Sequence, residues 1–434
     1  MDRARTAAFE ILLRLQKDGA YSNLSLEGNA ALAPMPARDR AFVASLVYGV
    51  TERLLTLDYN LSLYLTKPLS RLQPEVLCLL RLGVCQLLFF DKVPPSAAVN
   101  ETVQLAKRRC GYAAGLVNAV LRKVAAAGLC LPKEDDPAFR SVKYSCPQWL
   151  IDRWDVQYGK ENTDGILETS LLPAPVTARV NPLRTTPQDL RKALTAQGAA
   201  VSDGPAPELL TLEKLPCPVD ELPAFCAGWF HVQDPASFFC VKALDAQPGD
   251  TVFDLCAAPG GKTFGIAEEM QDQGVVRAFD LYESRVKLIA GGAKRLGLTC
   301  VQPAVQDASR PAGIGLADRV LCDVPCAGLG VIRRKPEIKY KPEESLRSLP
   351  ALQLSILQNG AACVKPGGRL IYSTCSLSGA ENEDVCAAFL SGTGDFRPVP
   401  PLPQRGEDCM LTLFPHKDGC DGFFIAAFEK RGDR

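Results

Sequence analysis

Asp250-Thr251-Val252-Phe253-Asp254-Leu255-Cys256-Ala257-Ala258-Pro259-Gly260-Gly261-Lys262-Thr263 is the stretch that decides the fold. Asp250 to Leu255 reads as a buried strand, the small residues after it as a tight turn, and Lys262 as the opening of a helix. Small residues let the backbone pass close to a ligand, and a helix N-terminus offers free N–H groups. The turn carries neither G-x-x-x-x-G-K-[ST] nor G-x-G-x-x-G, so it is neither a P-loop nor a dinucleotide fingerprint. On glycine content alone, a ligand loop and a plain strand–helix turn are about equally good readings.

Downstream the alternation continues. Val275 to Asp280 reads as a strand, Tyr282 to Leu296 as a helix, and Arg319 to Val324 and Arg369 to Ser376 as further strands around a helix from Glu343 to Val364. Strands and helices in this order make a mostly parallel sheet with helices on both faces, and ligands then sit beyond the carboxyl ends of the strands. Asp280 ends the second strand 26 residues after Asp254, where a carboxylate can accept hydrogen bonds from a ribose diol. Asp323-Val324-Pro325-Cys326 and Ser373-Thr374-Cys375-Ser376 end two other strands, which brings two thiols to the same edge.

Upstream the text changes character. Ala7 to Leu15 is apolar and Gly19 reads as its stop; Arg38 to Val50, a helix opening at Pro74, one from Ser96 through Lys107-Arg108-Arg109 and one over Val117 to Val124 complete an all-α bundle. Residues 131–230 begin with a linker, Leu131-Pro132-Lys133-Glu134-Asp135-Asp136-Pro137, and then read as a small α+β domain, with a strand at Thr177 to Pro182 and a helix from Gln188 to Gln197. The expected organisation is therefore three-part: 1–130 helical, 131–230 small α+β, 231–434 α/β.

Composition narrows the class. Hydrophobic residues make up 47% and charged residues 23% of 434, as in an ordinary globular protein. Seventeen cysteines, an odd number on a long chain, fit reduced thiols in a cytoplasm rather than a disulfide framework. With histidine only at positions 231 and 416 and no C-x-x-C pair, no metal site is expected. The apolar run Val76 to Phe90 contains Arg81 and is too short to span a bilayer, so no membrane association is expected. Residues 1–130 hold 16 Lys and Arg against 10 Asp and Glu, whereas the remainder holds 33 against 39. A basic first third suits contact with a polyanion, although solvated helix faces of this charge are common.

Three ordered segments then carry a resemblance. Asp254 to Thr263, Asp323 to Cys326 with its continuation Ala327 to Lys339, and Ser373 to Ser376 leading to Glu381-Asn382-Glu383 resemble the signature motifs of the NOL1/NOP2/Sun family of RNA cytosine-5 methyltransferases, nearest its bacterial RsmB (Sun) branch. Residues 1–130 resemble that branch's NusB-like RNA-binding bundle at Arg38 to Val50 and Val117 to Arg122, and Gly419 to Ala426 resembles the closing strand. The resemblance implies a Rossmann-like catalytic domain, S-adenosyl-L-methionine as cofactor, and small-subunit (16S) ribosomal RNA as substrate for a cytoplasmic, monomeric enzyme. It further implies Cys375 as the nucleophile, Cys326 as an aid to breakdown of the adduct, Asp323 as a contact to the base and Lys262 as an organiser of the site. Cys256, Ala257, Ala258, Pro259, Gly260, Gly261, Lys262, Asp280, Asp307 and Asp323 would surround the cofactor. The residues alone present two candidate thiols and do not rank them. Ala327 departs from the serine found there in many relatives.

The chemistry accounts for these residue types. Carbon 5 of cytosine is too electron-poor to attack a methyl sulfonium; a thiolate added at carbon 6 converts the ring to an enamine that can. The base must leave its stack to be reached, which favours a single-stranded or opened loop. Arg333, Arg334, Lys335, Lys339 and Lys341 are expected to hold phosphates nearby, and Ser378-x-x-Glu381 reads as a capping box, with Glu381 also a brace for the Cys375 loop. The rival readings are another RNA such as tRNA, a small-molecule or protein methyltransferase, and a non-catalytic RNA-binding assembly factor on the same fold.

Overall fold

The structure, a computed structural model, describes residues 2–18, 29, 32–310 and 313–432. The chain forms two compact units: residues up to Leu172 together with Ile332–Lys341, and Pro173–Val331 together with Pro342–Arg434.

The first unit is helical. Its helices include Arg3–Asp18, Ala37–Glu52, Leu54–Ser62, Pro74–Phe89, Pro95–Arg109 and Ala114–Ala127. They bury a core that includes Phe9, Leu46, Leu80 and Val117. Pro74 and Pro95 sit in the first turns of their helices, where a missing N–H costs nothing. Gly19, read as a stop, lies outside the described residues. The shorter helices Phe139–Tyr144, Gln148–Tyr158 and Lys160–Ser170 pack with this unit.

The same unit takes in Ile332–Lys341 from far along the chain, and this overturns part of the phosphate-binding expectation. Lys339 is buried, and its Nζ donates to the Glu52 carbonyl at 2.9 Å. The Tyr340 hydroxyl lies 3.1 Å from the Glu52 carbonyl and 3.0 Å from the Ser145 carbonyl, and accepts from the Leu54 N–H at 3.2 Å. Burial drags the Lys339 ammonium down to about 8. A cation held inside by main-chain oxygens does not face a phosphate. Arg333 donates to the Leu172 carbonyl at 3.0 Å.

The second unit contains two sheets. β1 (Val176–Val180), β2 (Ala200–Asp203), β3 (Leu209–Lys214) and β4 (Phe230–Val232) form an antiparallel sheet in the order β2-β3-β1-β4, with the helix Pro187–Ala196 packed on it. This is the small α+β domain. Arg179 of β1, fully buried, reaches Glu268 and Glu269 at 3.0 and 2.7 Å, and Gln233 donates to the Gly261 carbonyl at 2.8 Å. Both contacts fasten the small sheet to the helix Gly261–Glu269.

The larger sheet comprises β5 (Thr251–Asp254), β6 (Val275–Asp280), β7 (Val301–Val305), β8 (Ala317–Asp323), β9 (Val364–Thr374), β10 (Phe396–Val399), β11 (Met410–Leu413) and β12 (Phe423–Lys430). Its order is β10-β12-β9-β8-β5-β6-β7, with β11 also on β12. The run from β9 to β7 is parallel, whereas β12 pairs β9, β10 and β11 antiparallel. Side chains alternate between two apolar layers: Val252, Leu321 and Ile371 face one, and Phe253, Cys322 and Tyr372 face the other. Helices Gly261–Glu269, Glu283–Leu296, Leu349–Ala362 and Glu383–Gly392 cover it. Because β5 to β9 run parallel, Asp254, Asp280, Asp323 and Thr374 all finish at one edge.

Candidate active site

At that edge the loop after β5 is pinned on both sides. Ala257 donates to the Phe279 carbonyl at 2.8 Å, and Ala258 N–H reaches Asp280 at 3.3 Å. Gly260 caps the following helix at φ +112°, and a Cβ there would run into the Phe264 ring; this position requires glycine. The helix therefore starts with its free N–H groups at the sheet edge, beside Cys256 to Gly261.

Two carboxylates flank this loop. Asp280 is buried and faces Arg285 at 3.2 Å, whose guanidinium also donates to the Ala258 carbonyl at 2.7 Å. Asp254, which the sequence reading did not assign, accepts from the Thr263 hydroxyl through one oxygen at 2.7 Å, while its buried Oδ1 has no partner among the described residues. Burial, with the nearby Asp323 charge adding to it, pushes the Asp254 carboxyl up to about 7 against the opposing Thr263 hydrogen bond. An orphaned carboxylate oxygen beside a glycine turn fits a ligand that brings a cation, as the amino-acid end of S-adenosylmethionine does. Asp307 lies just beyond β7, half-buried, and its Oδ1 closes a turn onto Ser309 N–H and Oγ at 3.0 and 2.6 Å.

Between the loop and the thiols stands an ion pair. Lys262 Nζ donates to Asp323 at 2.8 Å and to Ser237 Oγ at 3.1 Å, and the other Asp323 oxygen accepts from Ser373 Oγ at 2.8 Å. Burial alone would lower the Lys262 ammonium, but the Asp323 carboxylate outweighs it and holds the group above its ordinary value. Lys262 thus stays charged and Asp323 is aimed from two sides.

The thiols of Cys326 and Cys375 lie 3.2 Å apart at the ends of neighbouring strands. Burial pushes the thiols of Cys240, Cys256, Cys322 and Cys386 up. Cys375 moves the other way: the hydrogen bond from Cys326 lowers it despite burial, and the Lys262 charge adds to the effect. Cys326 is held well above the ordinary thiol range by its bond to Cys375, by burial and by the nearby Glu381. A lowered thiol with a second thiol in hydrogen-bond contact is the arrangement a nucleophile and an assisting group need.

Gly330 clamps the two loops together. Its N–H donates to the Cys375 carbonyl at 2.9 Å and its carbonyl accepts from Gly422 N–H at 2.9 Å. The capping-box reading fails here: Ser378 makes no side-chain cap bond, and Glu381 turns inward beneath both thiol loops. Among the described residues, no cluster of three or more His, Cys, Asp or Glu side chains can hold a metal ion, and no helix is long and apolar enough to cross a membrane.

Comparison with known proteins follows the same division. Residues 241–429 match the family described as 16S rRNA methyltransferase RsmB/F, residues 2–126 the NusB family, and residues 146–220 the ferredoxin-like domain of RsmF/B-like methyltransferases. The chain is 38% identical to the probable ribosomal RNA small subunit methyltransferase B of Bacillus subtilis over 446 residues, covering 99% of both chains. It is 36% identical to ribosomal RNA small subunit methyltransferase B of Thermus thermophilus, covering 98% of this chain and 97% of that one. The crystal structure of PH0851 superimposes with a TM-score of 0.83 at 29% identity, covering 99% of each chain. Both the sequence and the three-part architecture therefore say that the chain belongs to the RsmB/F family of 16S rRNA methyltransferases.

Proposed function

We propose that the protein methylates carbon 5 of a cytosine in small-subunit ribosomal RNA through a covalent adduct on Cys375. The family membership supports ribosomal RNA methylation with S-adenosylmethionine as cofactor. The observation that carries the finer reading is the thiol pair: Cys326 and Cys375 lie 3.2 Å apart at adjacent strand ends beside the Lys262–Asp323 ion pair.

S-adenosylmethionine supplies the methyl group, and Cys256 to Lys262, Asp254, Asp280 and Asp307 surround its place at the strand ends. The Cys375 thiolate adds to carbon 6, the carbon 5–carbon 6 electron pair shifts to a carbon 4–carbon 5 double bond, and N3 takes a proton from solvent and donates it in a hydrogen bond to the Asp323 carboxylate, which leaves an enamine that attacks through carbon 5. Once carbon 5 carries the methyl group, its proton and the N3 proton pass to solvent water, the ring double bond re-forms and the Cys375–carbon 6 bond breaks with the electrons returning to sulfur, a release that Cys326 assists. The base enters from a single-stranded or opened segment. The basic helical unit supplies phosphate contacts, and the enzyme acts as a cytoplasmic monomer.

The test is to incubate wild type, Cys326→Ala and Cys375→Ala with 16S RNA and S-adenosylmethionine and to resolve denaturant-resistant protein–RNA adducts. Accumulation in Cys326→Ala alone is expected. An adduct only in Cys375→Ala would reverse the thiols, and methylation at an atom other than cytosine carbon 5 would sink the reading.

A further inference from the structure

Each thiol has one residue before it and one after it, and a single buried group of polar side chains touches all four. Glu381 Oε2 accepts from the N–H of Ala327, the residue after Cys326, at 2.8 Å; Glu381 Oε1 accepts from the hydroxyl of Ser376, the residue after Cys375, at 2.7 Å. Gln353 donates to the carbonyl of Pro325, the residue before Cys326, at 3.0 Å and to Glu381 Oε2 at 2.9 Å. Asn382 accepts from the hydroxyl of Thr374, the residue before Cys375, at 2.6 Å and donates to the Ser376 carbonyl at 2.8 Å. The Tyr372 hydroxyl anchors the Glu381 main chain at 2.5 Å. Gln353, Thr374, Ser376, Glu381 and Asn382 are all essentially inaccessible to solvent.

We propose that Glu381 is a positioning residue that fixes the two thiols against each other and decides which of them attacks. Ala327, Gln353 and Ser376 all donate to its carboxylate. Such a centre is costly to build and rigid once satisfied. It touches both loops, through Ala327 beside Cys326 and Ser376 beside Cys375; of the two thiols its charge raises Cys326, while Lys262 lowers Cys375 against burial and Asp323. Ala327 suffices after Cys326 because the contact uses its N–H and not its side chain. The role in release assigned to Cys326 rests on the cytosine-5 reading above; the clamp and the polarity do not.

The test uses the full-length protein and reads iodoacetamide labelling of Cys326 and Cys375 by peptide mass spectrometry across pH, without RNA. The charged groups that bear on the pair are Lys262, Asp323, Glu381 and Asp421. Glu381→Gln keeps the shape and removes the charge. Cys326 is expected to label about tenfold faster at a fixed pH, its profile moving about one unit lower, while S-adenosylmethionine affinity holds. An unchanged Cys326 profile in folded Glu381→Gln overturns the proposal. Should that variant not fold, Ser376→Ala frees only the Cys375 arm; preference for Cys375 is expected to fall, and an unaltered preference overturns the clamp. A shifted profile in Glu381→Gln, with a wild-type enzyme that makes no 5-methylcytosine, would support the clamp and retire the cytosine-5 reading, so the two fail separately.

Discussion

The sulfur atoms of Cys326 and Cys375, 49 residues apart in sequence, lie 3.2 Å apart at adjacent strand ends. Parallel pairing of β8 with β9 sets this distance, since Asp323 is in register with Ser373. Cys326 then lies three residues past the end of β8 and Cys375 one residue past the end of β9.

That juxtaposition makes the thiols unequal. Cys375→Ser should abolish both methylation and adduct formation, because a hydroxyl is far less nucleophilic and cannot be brought to its anion by the same neighbours. Cys326→Ala should still allow addition, slower at neutral pH because the hydrogen bond that lowers Cys375 is gone, and should slow release by about two orders of magnitude. A denaturing gel of RNA-linked protein against time separates the two steps.

Removing the positive charge next to Cys375 should move its titration. In Lys262→Met the Cys375 thiol loses a group that lowers it and retains the raising effects of burial and Asp323. Less thiolate is then present at neutral pH, and activity should recover as pH rises. The pH profile of single-turnover methylation checks this; a profile that falls and keeps its midpoint would make Lys262 a structural group only.

Cofactor binding should release a proton near neutrality. Asp254 is held up to about 7 by burial in the free protein, and a cation at its open oxygen favours the carboxylate. Titration calorimetry at pH 6.5 in buffers of different ionisation enthalpy should show that release, and Asp254→Asn should remove it. The same raised value works against the folded state. This group's contribution to stability is greatest below its unfolded value near 3.8 and is lost as pH rises through about 7. Asp280→Ala should weaken the cofactor about tenfold through the lost acceptor.

Gly330→Ala should disable the site without touching the cofactor. A Cβ there would meet the Gly422 carbonyl and the Cys375 carbonyl, both main chain, so the thiol loops must part. A loss of about 2–3 kcal/mol in urea unfolding with near-normal S-adenosylmethionine affinity is expected.

Tyr340→Phe should destabilise the helical unit by about 1–3 kcal/mol, since the hydroxyl serves the main chain around Glu52, Leu54 and Ser145 from a half-buried position. Chemical denaturation followed by helical circular dichroism measures it.

The catalytic half was the most legible part of the sequence. β6 begins at Val275 and ends at Asp280 as the pattern predicts, because a β-branched run closed by an acid leaves little choice. The glycine turn and both thiols are local features, and local features survive translation into structure. Two misreadings share one cause: a side chain's destination depends on a partner far away. Lys339 looked like a surface cation, yet its acceptor is 287 residues upstream. Glu381 fitted a capping spacing, yet its donors include Ala327 and Gln353. Asp254 went unassigned for a different reason: its partner Thr263 is local, and only burial marks it out.

The loan of Ile332–Lys341 to the helical unit also has a consequence for how the chain is made. During synthesis the amino-terminal helices leave the ribosome first, but the donors that meet the Glu52 carbonyl belong to residues 339 and 340. The first unit can be finished only after most of the second has been translated. A nascent chain stalled before residue 332 should therefore carry a looser, more protease-sensitive bundle than one stalled after residue 341.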